Sequence, residues 1–122
     1  MYEIEVTARF AAMHRLRLHD GTLEPLHDHD WRVTVRLCGP RLDEIDVLVD
    51  FGLLRRRLDA ALAELRDQNL NRLPAFAHCN PSAENVARHL ARQLDGDWPA
   101  GVRLSCVEIE EEPGCVTRYM PA

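Results

Sequence analysis

Three histidines stand at positions where they could bind one metal ion together. His27 and His29 are separated by one residue, so in an extended chain both imidazoles project from the same face. His14 ends an earlier stretch, and an antiparallel partner strand would bring its ring beside that pair. Three imidazole nitrogens with an open fourth position are typical of catalytic zinc. We therefore predict that the three histidines hold one Zn²⁺; the alternative is that they are surface residues of a polar loop.

The other histidines and the cysteines lack such spacing. We expect His19, His78 and His89 to be exposed to solvent. No Cys-x-x-Cys pair occurs, and thiols scattered in this way are usually free in a reducing compartment. The sequence therefore predicts structural roles for the four cysteines, which are Cys38, Cys79, Cys106 and Cys115.

Length and charge limit what the chain can be. Its 122 residues predict one domain, residues 1–122, small enough that self-association into a homo-oligomer would help to bury apolar surface. The formal charge of -5, without a dense basic patch, argues against nucleic acid as a partner. Residues 1–6 alternate and are acidic, and no apolar run approaches a membrane span. We therefore expect a cytoplasmic protein without a signal peptide or membrane partner.

The elements that must position the histidines can be read from the hydrophobic pattern. Four segments alternate or are apolar in the manner of strands, namely residues 1–10, 31–37, 102–112 and 116–120. Pro113 and Gly114 predict a turn between the last two. His27 and His29 would then lie in extended chain entering the second strand.

Two helices are predicted between the strand pairs. Asp50 is a plausible N-cap for the first helix, and Ser82, after Pro81, for the second. Gly96 lies just beyond the predicted end of the second helix. Apolar positions recur at helical spacing in both, at Leu54, Leu58, Ala61, Leu62 and Leu65 and at Val86, Leu90 and Leu94. The order ββααββ predicts an α+β fold, an antiparallel sheet with two helices on one face.

Four motifs along the chain resemble one known family. In order they are FAAMH at residues 10–14, HDH at 27–29, NPSAENVA at 80–87, and EEP at 111–113 leading to Tyr119. This set resembles the 6-pyruvoyl tetrahydropterin synthase family, which includes the bacterial 6-carboxytetrahydropterin synthases. The resemblance covers nearly the whole chain, and the family's tunnelling fold has the ββααββ order.

The resemblance implies an activity and roles for single residues. It implies a zinc-dependent lyase whose substrate is the pterin 7,8-dihydroneopterin triphosphate, assembled as a hexamer with sites between neighbouring subunits. It makes His14, His27 and His29 the zinc ligands and Glu111 the carboxylate that anchors the pterin ring. From the residues alone, Glu111 would be a strand-end glutamate in an acidic run, although alternation places it on the opposite face from Glu110 and Glu112.

The chain also departs from the family pattern at its catalytic positions. The family's cysteine, four residues before the first histidine of the pair, falls on Leu23, which cannot act as a base. Its Asp-His pair falls on Arg66 and Asp67, so no imidazole lies there, and Asp67 is the remaining catalytic candidate. Glu24 lies three residues before His27. In this respect the chain resembles the subgroup of the family in which a glutamate replaces the cysteine and the product is 6-hydroxymethyl-dihydropterin. The alternative for Glu24 is a solvated loop residue.

Three hypotheses therefore follow. In the first, the protein is a lyase in which Glu24 is the general base. In the second, it is a zinc- and pterin-binding paralogue that has lost turnover together with the cysteine and the Asp-His pair. In the third, it is a structural assembly subunit, which would leave the three histidines unexplained.

Overall fold

The strands and helices follow the predicted order. The structure is a computed structural model that describes residues 1–121. The helices are α1, Phe51–Ala63, and α2, Ala83–Leu94. The strands are β1, Tyr2–His14; β2, His27–Gly39; β3, Arg103–Glu112; and β4, Cys115–Tyr119. They form one antiparallel sheet in the order β1-β2-β3-β4, with α1 packed on β1 and α2 on β3 and β4. This confirms the α+β fold class and its ββααββ order.

The first two strands are longer than their hydrophobic pattern predicts. Strand β1 continues four residues beyond Phe10, and β2 begins four residues before Trp31. The added residues pair with one another, so the hairpin extends to the His14–His27 pair. Because of this extension, the His27–His29 segment lies inside β2, as expected for a pair of imidazoles on one face.

Both helices begin at the predicted caps. The Asp50 carboxylate accepts a hydrogen bond from the Gly52 backbone N–H at 3.1 Å, and the Ser82 hydroxyl accepts one from Asn85 N–H at 3.2 Å. Helix α1 ends before Leu65, which is nevertheless buried, because the following chain turns back onto β1. Neither helix within residues 1–121 is long and apolar enough to cross a membrane.

Two short turns between the helices were not predicted. They are 3₁₀ segments, Leu70–Arg72 and Pro74–Phe76. Leu70 and Phe76 are buried in the core, so these turns hold the connection against the sheet. The connection supplies one wall of the candidate site.

The two faces of the sheet differ in chemistry. On the helix side, alternating residues of β1 and β2 join one hydrophobic core with the helices, including Phe10, Trp31 and Val33. On the other face, Arg36 contacts Glu5 at 2.9 Å and Glu108 at 3.2 Å. Since every second residue faces the same way, the core face of β1 and β2 also carries the histidines at the end of the hairpin.

Candidate metal centre

Three imidazoles meet at the end of the β1–β2 hairpin. His14 is the last residue of β1 and pairs with His27, the first residue of β2, while His29 pairs with Ala12. One ligand atom from each histidine lies within 4.8 Å of the other two. Two nitrogens on one tetrahedral zinc are separated by about 3.3 Å. Small rotations of the side chains would therefore close the three rings around one ion.

Backbone carbonyls orient two of the rings. The Nδ1 atom of His14 donates to the carbonyl of Pro81 at 2.7 Å, and that of His27 donates to the carbonyl of Pro25 at 2.9 Å. Because a carbonyl only accepts, both rings carry a proton on Nδ1, which leaves Nε2 as the nitrogen that can bind a metal. A hydrogen bond to the second ring nitrogen is the usual support of a metal-binding imidazole.

The indole of Trp31 forms the floor of the cluster. Its ring centroid lies 4.8 Å from that of His14 and 5.5 Å from that of His29, both edge to face. The indole N–H donates to the carbonyl of Ala12 at 3.2 Å, which fixes the ring to β1. Trp31 is fully buried and His14 is 1% exposed, so the rings rest on a rigid part of the core.

The carboxylate of Glu111 points at the same histidines. Its Oε1 atom lies 3.2 Å from His14 Nε2 and 3.9 Å from His29 Nε2. Burial lowers the pKa of His14 below its usual value, although the Pro81 carbonyl and Glu111 act to raise it. His14 is therefore neutral near pH 7, and its Nε2 lone pair faces a carboxylate oxygen. Two acceptors so close repel each other unless a proton or a metal ion lies between them, and the three imidazole nitrogens together fit a metal ion.

The neighbouring glutamates are used differently. Glu110 accepts a hydrogen bond from Gly114 N–H at 3.4 Å, and Glu112 accepts one from the Cys115 thiol at 3.5 Å. Both stabilise the β3–β4 turn, whereas Glu111 faces the histidines. This difference agrees with the prediction that alternation separates Glu111 from its two neighbours.

Glu24 lies outside the three-histidine cluster. Its carboxylate accepts a hydrogen bond from Leu16 N–H at 2.9 Å, and its own N–H donates to the Leu16 carbonyl at 2.9 Å. These contacts tie Glu24 to the segment that directly follows His14. Leu23, at the position of the family's cysteine, is 49% exposed.

Asp67 lies on an exposed turn beside β1. Its φ of 61° is in the left-handed region, and its N–H donates to the Ala11 carbonyl at 2.7 Å. Arg66 likewise donates to the Arg9 carbonyl at 3.0 Å. The structure therefore places Asp67 near the strand that carries His14 but not among the three clustered imidazoles.

Two asparagines that sequence reasoning did not single out hold the wall next to the metal centre. The Asn71 amide bonds both the N–H and the carbonyl of Arg15, each at 2.9 Å. The Asn80 amide does the same to Arg17, at 2.8 and 3.0 Å. Each acts like a strand partner for an unpaired segment. For Asn80 a signal was present in the sequence, because this residue begins the NPSAENVA motif.

The predictions for the other polar residues were mostly confirmed. His19 and His78 are exposed, as expected. The prediction for His89 was wrong, because it is partly buried against Phe76, with ring centroids 5.5 Å apart. That burial lowers the pKa of His89. The four cysteines are free, as predicted; Cys38 and Cys106 are buried, while Cys79 and Cys115 are exposed.

The sequence of this chain is similar to those of known proteins from one family. Residues 3–122 match the family described as 6-pyruvoyl tetrahydropterin synthase. A 6-carboxy-5,6,7,8-tetrahydropterin synthase of Rickettsia bellii is 24% identical over 102 residues, which cover 70% of this chain and 74% of that protein. A dihydroneopterin monophosphate aldolase of Pyrococcus furiosus is 28% identical over 106 residues, covering 85% of this chain and 84% of that protein.

Solved structures agree in fold. The 6-pyruvoyl tetrahydropterin synthase of Caenorhabditis elegans superimposes with a TM-score of 0.85 at 23% identity, covering 99% of this chain and 96% of that one. The Plasmodium vivax 6-pyruvoyl tetrahydropterin synthase was solved as a variant in which a glutamate, described as its catalytic residue, is replaced. It superimposes with a TM-score of 0.75 at 15% identity, covering 98% of this chain and 97% of that one.

The geometry predicts that zinc binding depends on the paired histidines. Purified protein should contain about one zinc per chain, and the His27→Ala/His29→Ala variant should lose it, because one remaining imidazole does not hold zinc. Elemental analysis by mass spectrometry measures this. His19→Ala is the matched control, since His19 lies outside the cluster and its loss should leave the zinc content unchanged. Stoichiometric zinc in the double variant would contradict the site.

Proposed function

The chain belongs to the 6-pyruvoyl tetrahydropterin synthase family, and we propose that it is a zinc-dependent lyase acting on 7,8-dihydroneopterin triphosphate. The observation that carries this proposal is the cluster of three imidazoles facing the carboxylate of Glu111. It is the donor set of a catalytic zinc site, with three protein ligands. When bound there, zinc would supply a Lewis acid that stabilises negative charge on substrate oxygens.

Glu24 is the base in this proposal. Its bond with Leu16 uses Oε1, which fixes the carboxylate beside the segment following His14 while Oε2 can accept a proton. If it removes the proton of the second side-chain hydroxyl, that oxygen forms a carbonyl as the adjacent carbon–carbon bond breaks. The bonding electrons pass to the carbon attached to the ring, which is then protonated. This retro-aldol cleavage gives 6-hydroxymethyl-dihydropterin and a phosphorylated aldehyde.

The descriptions of two similar proteins bear separately on the reaction and on the base. The Pyrococcus furiosus relative is named as an aldolase acting on dihydroneopterin monophosphate. In the Plasmodium vivax protein, a glutamate is described as the catalytic residue. Leu23 cannot replace a catalytic thiol, so Glu24 is the chain's own candidate for the same task.

Glu111 recognises the pterin ring in this proposal. A carboxylate can accept two parallel hydrogen bonds from the ring N–H and the amino group of an aminopyrimidinone. Its position beside His14 and His29 would place a bound ring next to the metal centre. Glu111 is only partly exposed, so the two hydrogen bonds would form away from bulk water.

The sheet edges support self-association. Within residues 1–121, β1 and β4 are edge strands, although the backbone of β1 between Thr7 and Met13 also bonds to Arg55 and to residues 66–69. Unpaired backbone along an edge favours pairing with another chain. The exposed Val116 and Met120 lie on or beside β4. We propose a homo-oligomer, a hexamer by analogy with the family, that pairs these edges.

The second candidate is a non-catalytic zinc- and pterin-binding paralogue. The observation that favours it is the loss of the family's catalytic groups, with Leu23 in place of the cysteine and Arg66–Asp67 in place of the Asp-His pair. Incubating zinc-loaded protein with 7,8-dihydroneopterin triphosphate and identifying products by mass spectrometry separates the two. A new pterin product supports the lyase, and intact substrate bound to the protein supports the paralogue.

The role of Glu24 predicts a specific mutant. Glu24→Gln removes the base but keeps a side chain of the same size, so turnover should fall by about two to four orders of magnitude with zinc content unchanged. Steady-state kinetics and elemental analysis measure both. Asp67→Asn tests the other catalytic candidate in the same assay: slower turnover with intact zinc would support a role for Asp67. Wild-type turnover in Glu24→Gln would remove Glu24 from the mechanism.

The role of Glu111 predicts a separation of pterin binding from metal binding. Glu111→Gln should weaken pterin binding about tenfold or more, because the amide presents a donor where the ring also donates. Zinc content should stay at the wild-type level, since three imidazoles remain. Titration calorimetry with a pterin measures the first and elemental analysis the second. Loss of zinc in this variant would instead make Glu111 a metal ligand, and equal pterin affinity would leave it a structural residue.

A further inference from the structure

A cavity lies close to the three-histidine cluster, and none of the three histidines is among the residues that line it. It has a volume of about 860 Å³, and the segments at residues 16–19 and 76–80 supply most of its walls. Both segments lead directly to His14: Arg17 follows it by three residues, and Asn80 precedes Pro81, whose carbonyl bonds the His14 ring. Three extended residues span about 10 Å. The cavity therefore begins within about that distance of the metal centre.

The wall of this cavity includes three basic side chains. Arg17, His19 and His78 contribute to its walls, and no carboxylate does so within residues 1–121. The chain as a whole has a net charge of -5, so the basic wall of this cavity differs in charge from the rest of the molecule. The acids close to it in sequence, Asp20 and Glu24, are not among the residues that line the cavity. The cavity thus offers cationic and N–H donors to an anion.

The walls are held in place before any ligand binds. The Asn80 amide pairs with both backbone groups of Arg17, and Asn80 is in turn bonded through its carbonyl to the Asn85 amide at 2.8 Å. On the other side, Glu24 pairs with both backbone groups of Leu16. These bonds fix the backbone that carries Arg17, so ordering this backbone on anion binding costs little conformational entropy.

From these observations we propose that the cavity binds the phosphate groups on the side chain of the substrate, with Arg17, His19 and His78 as their donors. This inference rests on the proposed function, because it assigns a place to one part of the proposed substrate. The reacting carbons of that substrate lie between the ring and the phosphates. If the pterin ring is bound at Glu111 and the hydroxyl groups of the substrate lie at the metal centre, the phosphates of the substrate would extend along residues 15–17 into the cavity.

The test compares a phosphorylated with an unphosphorylated ligand. Neopterin triphosphate and neopterin share the oxidised ring and differ only in the phosphates, and binding of each to zinc-loaded protein is measured by titration calorimetry. Arg17→Gln/His78→Gln should bind the triphosphate about 10- to 100-fold more weakly, as expected for the loss of charge-assisted hydrogen bonds, with the affinity for neopterin unchanged. Arg92→Gln, at the exposed end of α2 and outside the cavity, is the control for loss of positive charge.

Each outcome decides the inference. Equal affinity of the wild type for the two ligands, equal weakening of both by Arg17→Gln/His78→Gln, or the same weakening by Arg92→Gln would overturn it. Inorganic triphosphate is titrated alongside: if its binding depends on Arg17 and His78 while that of neopterin triphosphate does not, the cavity takes free anions and the proposal fails. Circular dichroism and zinc content confirm that the variants are folded. Since none of these measurements needs turnover, an inactive wild type would count against the lyase alone.

Discussion

The site depends on the register of the β1–β2 hairpin. The pairing of His14 with His27 and of Ala12 with His29 brings imidazoles from two strands to one point. A slip of one residue would turn the rings of one strand to the opposite face of the sheet. The register is held from inside the protein, because Phe10 and Trp31, on the same face, are buried and their rings stack at 5.8 Å. The three-histidine cluster therefore extends the buried face of the sheet towards the end of the hairpin.

That arrangement also explains the chemistry available to the histidines. A polar ring at the end of a buried strand must find partners, and His14 finds the Pro81 carbonyl on one side. This hydrogen bond joins the hairpin to the start of α2 and leaves the other ring nitrogen facing His27, His29 and Glu111. One contact thus positions the ring, selects its tautomer and links the two halves of the chain.

The second sheet face shows how polar groups are accommodated away from the metal centre. Burial of Glu108 would raise its pKa, but Arg36 and Arg118 outweigh this effect and hold the pKa below its usual value. The same two arginines contact its Oε1 atom at 3.2 and 2.7 Å. Glu108 is thus charged and paired, whereas Glu111, on the other face, contacts the imidazoles of His14 and His29 and, within residues 1–121, forms no ion pair with an arginine. This contrast within one strand is what separates a structural carboxylate from one available for binding.

The sequence by itself determined the element order, the helix caps and the three histidines, because alternation, helical spacing and the His-x-His pair are local features. It also indicated the family, through four motifs in order. Only the tertiary structure decided which polar residues meet. Glu111 is 97 residues from His14 in sequence. The cavity is formed by segments about 60 residues apart, which are joined by hydrogen bonds from the Asn71 and Asn80 amides to the backbone of Arg15 and Arg17. Such contacts carry no periodic signal, since they depend on how the connections fold back over the end of the sheet. The burial of His89 escaped prediction for the same reason, because its partner Phe76 lies in a 3₁₀ turn that no pattern marks.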